Sequence, residues 1–192
     1  YASAAALSLN GGAIRDGVGN NATLTLPSPG ASGSLSFNKA LVIDTTAPTV
    51  TSVSSTTSDG TYGGSTTIPI TITFDETVTV TGTPKLTLET GSADAVAIYS
   101  SGSGSSTLTF NYTIVSGHAS ADLAYASTTA LSLNSGTIKD VTGNNATLTL
   151  FTPGDPNSLS ANKALVIDTT APTITSVSSN TPNGSYAAGQ TI

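Results

Sequence analysis

Ile68, Ile70, Ile72 and Phe74 fall on one parity of the chain, and Thr67, Thr71 and Thr73 fall on the other. A period of two places successive side chains on opposite faces of a strand, so this run predicts a strand with an apolar face and a hydroxyl face. Val78 and Val80 continue it, and Leu86 and Leu88 follow after Pro84. Leu108, Phe110, Tyr112 and Ile114 form a second long alternating run. Shorter ones follow at Leu131 and Leu133, at Ala146, Leu148 and Leu150, and at Leu165 and Ile167. Gly, Pro, Asn and Ser clusters separate the runs, and residues 100–106, with Gly102 and Gly104, read as a hairpin connection. No helical periodicity competes with this pattern. Short alternating strands joined by turns predict an all-β, antiparallel sandwich or barrel.

The pattern repeats. Residues 1–68 return as 125–192 without insertion or deletion, a period of 124 residues. LVIDTTAPT at 41–49 recurs letter for letter at 165–173, and Asp16, Gly19, Asn20 and the ATLTL that follows recur from Asp140. A period of this length fits one β-domain per copy in a tandem array. Asp44-Thr45-Thr46-Ala47-Pro48 is the expected border, because Pro48 fixes its own φ and biases Ala47 toward extended backbone. Residues 1–44 then read as the C-terminal part of one copy, 45–168 as a complete copy and 169–192 as the N-terminal part of a third. On this reading the chain is a window on a longer protein. The end segments need partners for Leu24, Leu26, Leu41 and Ile43, and for Ile174, Val177 and Ile192, which points to a continuous fibre or to subunits that donate strands to one another.

Composition narrows the function classes. Charged residues are 8% and mean hydropathy is +0.13, unlike the charge-rich, apolar-poor profile of a disordered chain. The net charge is −6, and Arg15, Lys39, Lys85, Lys139 and Lys163 are scattered. Nucleic acid is therefore not an expected partner. No apolar run has the length of a membrane span and no basic amphipathic segment would lie on a bilayer, so membrane insertion is not expected. Cys is absent, which removes disulfides, thiolate metal sites and a Cys nucleophile.

Four stretches, VIDTTAPTVTSVSS from Val42, FDETVTVTGTPKLTLETG from Phe74, YSSGSGSSTLTFNYTIVSG from Tyr99 and IKDVTGNNATLTL from Ile138, carry a resemblance that covers essentially the whole chain. The chain resembles the bacterial immunoglobulin-like repeats found in tandem in very long surface and secreted proteins, including biofilm adhesins. The resemblance implies a two-sheet immunoglobulin-like sandwich, an extracellular or cell-surface location, and calcium that stiffens the junctions between copies. It departs at Asp75, where the family pattern carries Ser.

Catalytic sets are scarce. His118 is the only histidine, and no nucleophile is paired with it in sequence. Asp75 and Glu76 are neighbours, so on a strand they point to opposite faces. Calcium is the one serious site expectation. Asp44 and Asp168 stand at the borders between copies, and Asp16 and Asp140 precede Asn20 and Asn144 by four residues, with Gly19 and Gly143 between. A Gly turn can bring an Asp carboxylate and an Asn carbonyl together, and Ca²⁺ takes about six to eight such hard oxygens. The same spacing also describes an Asx-turn with glycine at positive φ, which needs no metal.

Sequons begin at Asn21, Asn111, Asn145 and Asn183, and they act only in a glycosylating secretory route. Tyr112 reads as core, and Tyr125 with its counterpart Tyr1 as corner tyrosines with a bonded hydroxyl. The functional expectation is a structural spacer or fibre-forming module whose partners are other copies of itself. The alternative is an adhesin module that binds a glycan or a host or matrix protein through many weak copies.

Overall fold

Alternation becomes strand wherever a partner strand is present, and only there. The structure, a computed structural model, describes residues 1–192 and divides into two compact units, Tyr1–Thr45 and Thr46–Ile192. In the first unit the only regular element is the one-turn helix α1 (Leu35–Asn38). In the second, β1 (Val50–Ser55), β2 (Gly60–Tyr62), β3 (Thr67–Thr81), β4 (Lys85–Glu89), β5 (Ala95–Ser101) and β6 (Ser105–Thr113) come first. Then follow β7 (Ala119–Ser120), β8 (Ala124–Tyr125), β9 (Leu131–Ser132), β10 (Thr137–Lys139), the one-turn helix α2 (Leu159–Asn162) and β11 (Leu165–Asp168).

One sheet runs β1-β3-β6-β5-β4-β8, with β10 also on β3 and β9 also on β4, and all of its pairs are antiparallel. The second sheet is β2-β11-β7. Together they make the immunoglobulin-like sandwich that the resemblance implies. One pair departs from the antiparallel expectation: β11 runs parallel to β2, with Leu165, Val166 and Ile167 opposite Gly60, Thr61 and Tyr62. Parallel partners need a long crossover. Here nearly the whole copy serves as that crossover, which brings its first and last segments side by side.

The core is the apolar parity of the alternating runs. Ile68, Ile70, Ile72, Phe74, Leu108, Phe110, Tyr112 and Ile114 are all buried, joined by Leu86, Leu88, Leu123, Tyr125, Leu165 and Ile167. Each large apolar side chain sunk in this way contributes about 1.5–3 kcal/mol before conformational entropy is counted. On the opposite face of β3 and β6, the Thr67 and Thr113 hydroxyls lie 3.1 Å apart, and those of Thr73 and Thr107 3.3 Å apart. The threonines therefore form cross-strand pairs as well as a wet face. No buried side-chain nitrogen or oxygen lacks a hydrogen-bond partner.

The first unit repeats the local turns of residues 125–168 without their strands. The Tyr125 hydroxyl donates to Phe151 O at 2.7 Å, and the Tyr1 hydroxyl to the matching Pro27 O. Ser158 caps α2 by accepting from Ala161 N, as Ser34 caps α1 by accepting from Phe37 N. Yet Leu165 and Ile167 are 0% and 2% exposed, whereas their counterparts Leu41 and Ile43 are 71% and 90% exposed. Ile174 and Val177 are likewise open, while Val50 and Val53, one period earlier, are buried. Leu41, Ile43, Ile174 and Val177 thus stay open within this chain. The reason is that ladder bonds and cross-strand contacts come from the partner, and these segments have none.

The hairpin between β5 and β6 is tighter than residues 100–106, since only Gly102, Ser103 and Gly104 lie outside the strands. Both glycines have positive φ, but a Cβ on Gly102 would lie 2.2 Å from Thr107 O, while one on Gly104 would meet open space. Gly102→Ala should lower stability by about 3 kcal/mol, and Gly104→Ala by about 1 kcal/mol. Urea denaturation at unchanged m-value measures both, and equal losses would contradict this reading of the turn.

Candidate functional site

Within each unit the structure brings together one Asp–Asn pair of the expected metal ligands, Asp16 with Asn20 and Asp140 with Asn144. In the second unit, Lys139 bridges to Asn145 and Ala146 N donates to Ile138 O at 2.9 Å, which closes the turn behind β10. Gly143 takes positive φ at the tip. The turn folds the backbone over the Asp140 carboxylate. Oδ1 accepts from the N–H groups of Thr142, Gly143 and Asn144 at 2.8, 2.6 and 2.8 Å. Oδ2 accepts from the Thr142 hydroxyl at 2.9 Å and from Asn144 Nδ2 at 2.7 Å. The first unit makes a sparser version, in which Asp16 accepts from Val18 N, Asn20 N and Asn20 Nδ2. In both loops the Asn turns its amide nitrogen, not its carbonyl, toward the carboxylate. A cation held there would have to displace these donors.

Burial opposes ionisation of Asp140, but donors from Asn144, Thr142 and Gly143 outweigh it and hold the carboxyl at about 2. The Asp16 carboxyl is lowered by its bonds to Asn20 in the same way.

Asp168 ends β11, is exposed, and accepts from Thr170 N at 2.8 Å in a short Asx-turn. Its carbonyl explains the glycine at position 63, where a Cβ would lie 2.3 Å from Asp168 O. Asp44 is half-buried at the end of the first unit.

Two acidic residues, Asp75 and Glu76, make contacts that their adjacency on a strand did not indicate. Glu76 has the parity of Ile68, Ile70, Ile72, Phe74 and Val78, so it is the one charge on the inward series of β3. It brings a carboxylate oxygen within 4.8 Å of one on Asp140. That break in the apolar parity was the signal available in the sequence. Asp75 clamps β3 to the segment before β1: Thr49 N donates to Oδ1 at 2.8 Å and the Thr49 hydroxyl to Oδ2 at 2.6 Å. The Thr49 donors lower the Asp75 carboxyl. Nothing in the local sequence marks this pair, which is 26 residues apart.

His118 is not placed beside a nucleophile. Its ring stacks on Tyr112, with Nδ1 2.9 Å from the Tyr112 hydroxyl, and Val115 N donates to the same nitrogen at 3.3 Å. Burial pushes the Tyr112 phenol up to about 12. The Thr169 hydroxyl donates to His118 O at 2.9 Å and accepts from Gly117 N at 3.1 Å, which ties this turn to the first residue after β11. The sequon asparagines Asn21, Asn111, Asn145 and Asn183 are all exposed.

The Asp140 loop gives a pH prediction. A carboxyl held below its unfolded value adds stability above about pH 4, and that stability is lost as pH falls toward 2. Asp140→Asn should therefore be the less stable protein at neutral pH, and the gap between the two should close between about pH 4 and pH 2. Thermal melts across that range check it, and a gap that stays constant would be the contrary result.

A model of the bacterial Ig-like domain matches residues 44–153, more than half of the chain. No curated protein and no solved structure matches it at a significant level. The match spans β1 to β10, including the long strands, the glycine hairpin and the Asp140 loop. The chain belongs to the bacterial Ig-like domain family.

Proposed function

We propose that the complete copy is a spacer or fibre-forming module of a bacterial surface protein, located outside the cell. One observation carries this reading: LVIDTTAPT at 41–49 returns unchanged at 165–173, so the sequence that closes one copy also opens the next. Each copy then contributes length, and the Thr-Thr-Ala-Pro segment sets the step between copies. Filament growth by strand complementation belongs to the same reading, because residues 41–43 and 174–177 leave apolar side chains open.

The adhesin reading is weaker in its means of recognition. Sugars bind on exposed aromatic faces, and the complete copy sinks Phe110, Tyr112 and Tyr125 in its core. Tyr99 is only half-buried, but it packs edge-on against Phe110. Electron micrographs of a protein carrying several copies should show beaded rods, and compact globules would overturn the spacer reading. A glycan array probed with the complete copy should stay silent, and a reproducible hit would favour the adhesin.

Calcium enters this reading as a stiffener. Support comes from the approach of Glu76 to Asp140, two carboxylates with oxygens within 4.8 Å of one another, whose mutual repulsion a bound cation would relieve. The border aspartates Asp44 and Asp168 complete the proposal. Small-angle scattering of a three-copy protein should show a longer maximum dimension with calcium than with chelator. Equal dimensions, with no metal found by elemental analysis, would remove calcium from the account.

A further inference from the structure

Residues 152–158 close a turn that both units make, but only the complete copy places an Asp–Pro bond in it. Asp155 N donates to Thr152 O at 2.9 Å, Ser158 N to Asp155 O at 3.0 Å, and Gly154 N to Ser158 Oγ at 3.1 Å. In the first unit Ala31 N donates to Ser28 O and Ser34 N to Ala31 O, both at 2.9 Å, and Gly30 N to Ser34 Oγ at 3.2 Å. Ala31-Ser32-Gly33 thus stands where Asp155-Pro156-Asn157 stands one period later. The later sequence suits a type II turn, with proline at the second position and a left-handed residue at the third. Asn157 has φ 70°, and Gly33 has φ 82°. Asp155 is the one aspartate in the chain that precedes proline.

That bond differs chemically from an ordinary peptide bond. Its nitrogen is tertiary, carries no hydrogen, and leaves as a secondary amine that takes up a proton readily. Its carbonyl carbon lies within reach of the Asp155 side chain, so attack by a carboxyl oxygen closes a cyclic anhydride. The fold adds to this. The Ser158 N–H donates to the carbonyl oxygen that gains charge as the ring closes. Val53 N donates to Asn157 O at 2.8 Å, so the leaving side is anchored to β1 while Thr152 holds the Asp155 side. Asp155 and Pro156 are both exposed, so water reaches them.

We propose that the Asp155–Pro156 bond is a self-cleavage site, and that the copy stays assembled once it breaks. The protonated carboxyl of Asp155 attacks its own carbonyl carbon. The anhydride forms, the bond to Pro156 N breaks, and that nitrogen takes the proton the carboxyl gives up. Water then opens the anhydride, leaving both carboxyls on Asp155 and a free amine on Pro156. The step consumes water and needs no other reactant. Only the protonated carboxyl brings its own proton to the nitrogen, so the rate rises as pH falls. The ionisable group that senses Asp155 is Tyr125, whose phenol is pushed up to about 12 by burial and then by the Asp155 charge, and it stays neutral across the acid range. Lys163, at the end of α2, is engaged by Asp59 at 3.0 Å. Downstream of the break, Leu159, Leu165 and Ile167 remain in the core, and β11 remains paired to β2 and β7. Asn162 Nδ2 also donates to Val53 O at 2.8 Å. The chain beyond the break is then joined to the copy by packing and ladder bonds instead of by the backbone.

The chain supplies its own control, because Ala31–Ser32 occupies the same turn without a carboxyl or a proline. The unaltered chain is incubated at about pH 4, where free aspartyl carboxyls are protonated part of the time and Asp140 keeps its charge. Mass spectrometry should find fragments 1–155 and 156–192 and no break after residue 31. The folded chain should cleave about tenfold faster than the same chain unfolded in urea, which loses the Ser158 donor. Asp155→Ala should abolish the break and Pro156→Ala should slow it, and both variants keep a turn that Ala31 and Ser32 already form. Without urea, the two fragments should elute together in gel filtration. Equal or slower cleavage in the folded chain would overturn the proposal, and so would fragments that separate without denaturant.

Discussion

The pairing of β3 with β6 is the contact on which the rest of the copy depends. Seven consecutive register pairs, from Thr67 with Thr113 to Thr73 with Thr107, align two apolar parities on one face and two rows of threonine on the other. A slip of one residue would turn Ile68, Ile70, Ile72 and Phe110 out to water and bring threonine in. That penalty fixes the register, and the register places everything attached to it. β1 pairs along the free edge of β3, β5 along the free edge of β6, and the far end of β3 reaches β10. The Asp140 loop hangs from β10, and Glu76 meets it from β3, so the acidic pair is set by the same ladder.

The contrast between the end segments and the complete copy shows what local sequence can and cannot decide. The cap on the one-turn helix, the bonded corner tyrosine and the Asp-to-Asn turn appear in both units, because each has both of its partners inside the unit. The strand at Leu165–Asp168 has no equivalent at residues 41–44, although the letters are the same. A strand is a property of a pair, and half of that pair lies about a hundred residues away in sequence.

The same distinction decides how much was legible from residues alone. The alternating runs on β3 and β6 were plain, because their periodicity spans several residues on each strand. The hairpin at Gly102 and Gly104 was legible because only glycine accepts that backbone. The two-residue strands β7 and β8 carry no period to detect. The parallel contact of β11 with β2 was invisible, since Gly60-Thr61-Tyr62 has no apolar signature of its own. Among the candidate ligands, the Asp–Asn loops could be read from their spacing, but the direction in which the amide points could not. Asp75 looked like a departure without a role, and its partner Thr49 is brought to it only by the pairing of β1 with β3.

The parallel contact has a mechanical side. β2 lies near the beginning of the copy and β11 at its end, and they run in the same direction. A pull transmitted through the linkers draws the start of β2 and the end of β11 in opposite senses along their common axis. The bonds between them then lie across the load and resist it together, in shear, instead of opening one after another like a zip. Force on such a chain would reach β1 in the large sheet from one end and β11 in the parallel clasp from the other, so the copy opens only when both have yielded.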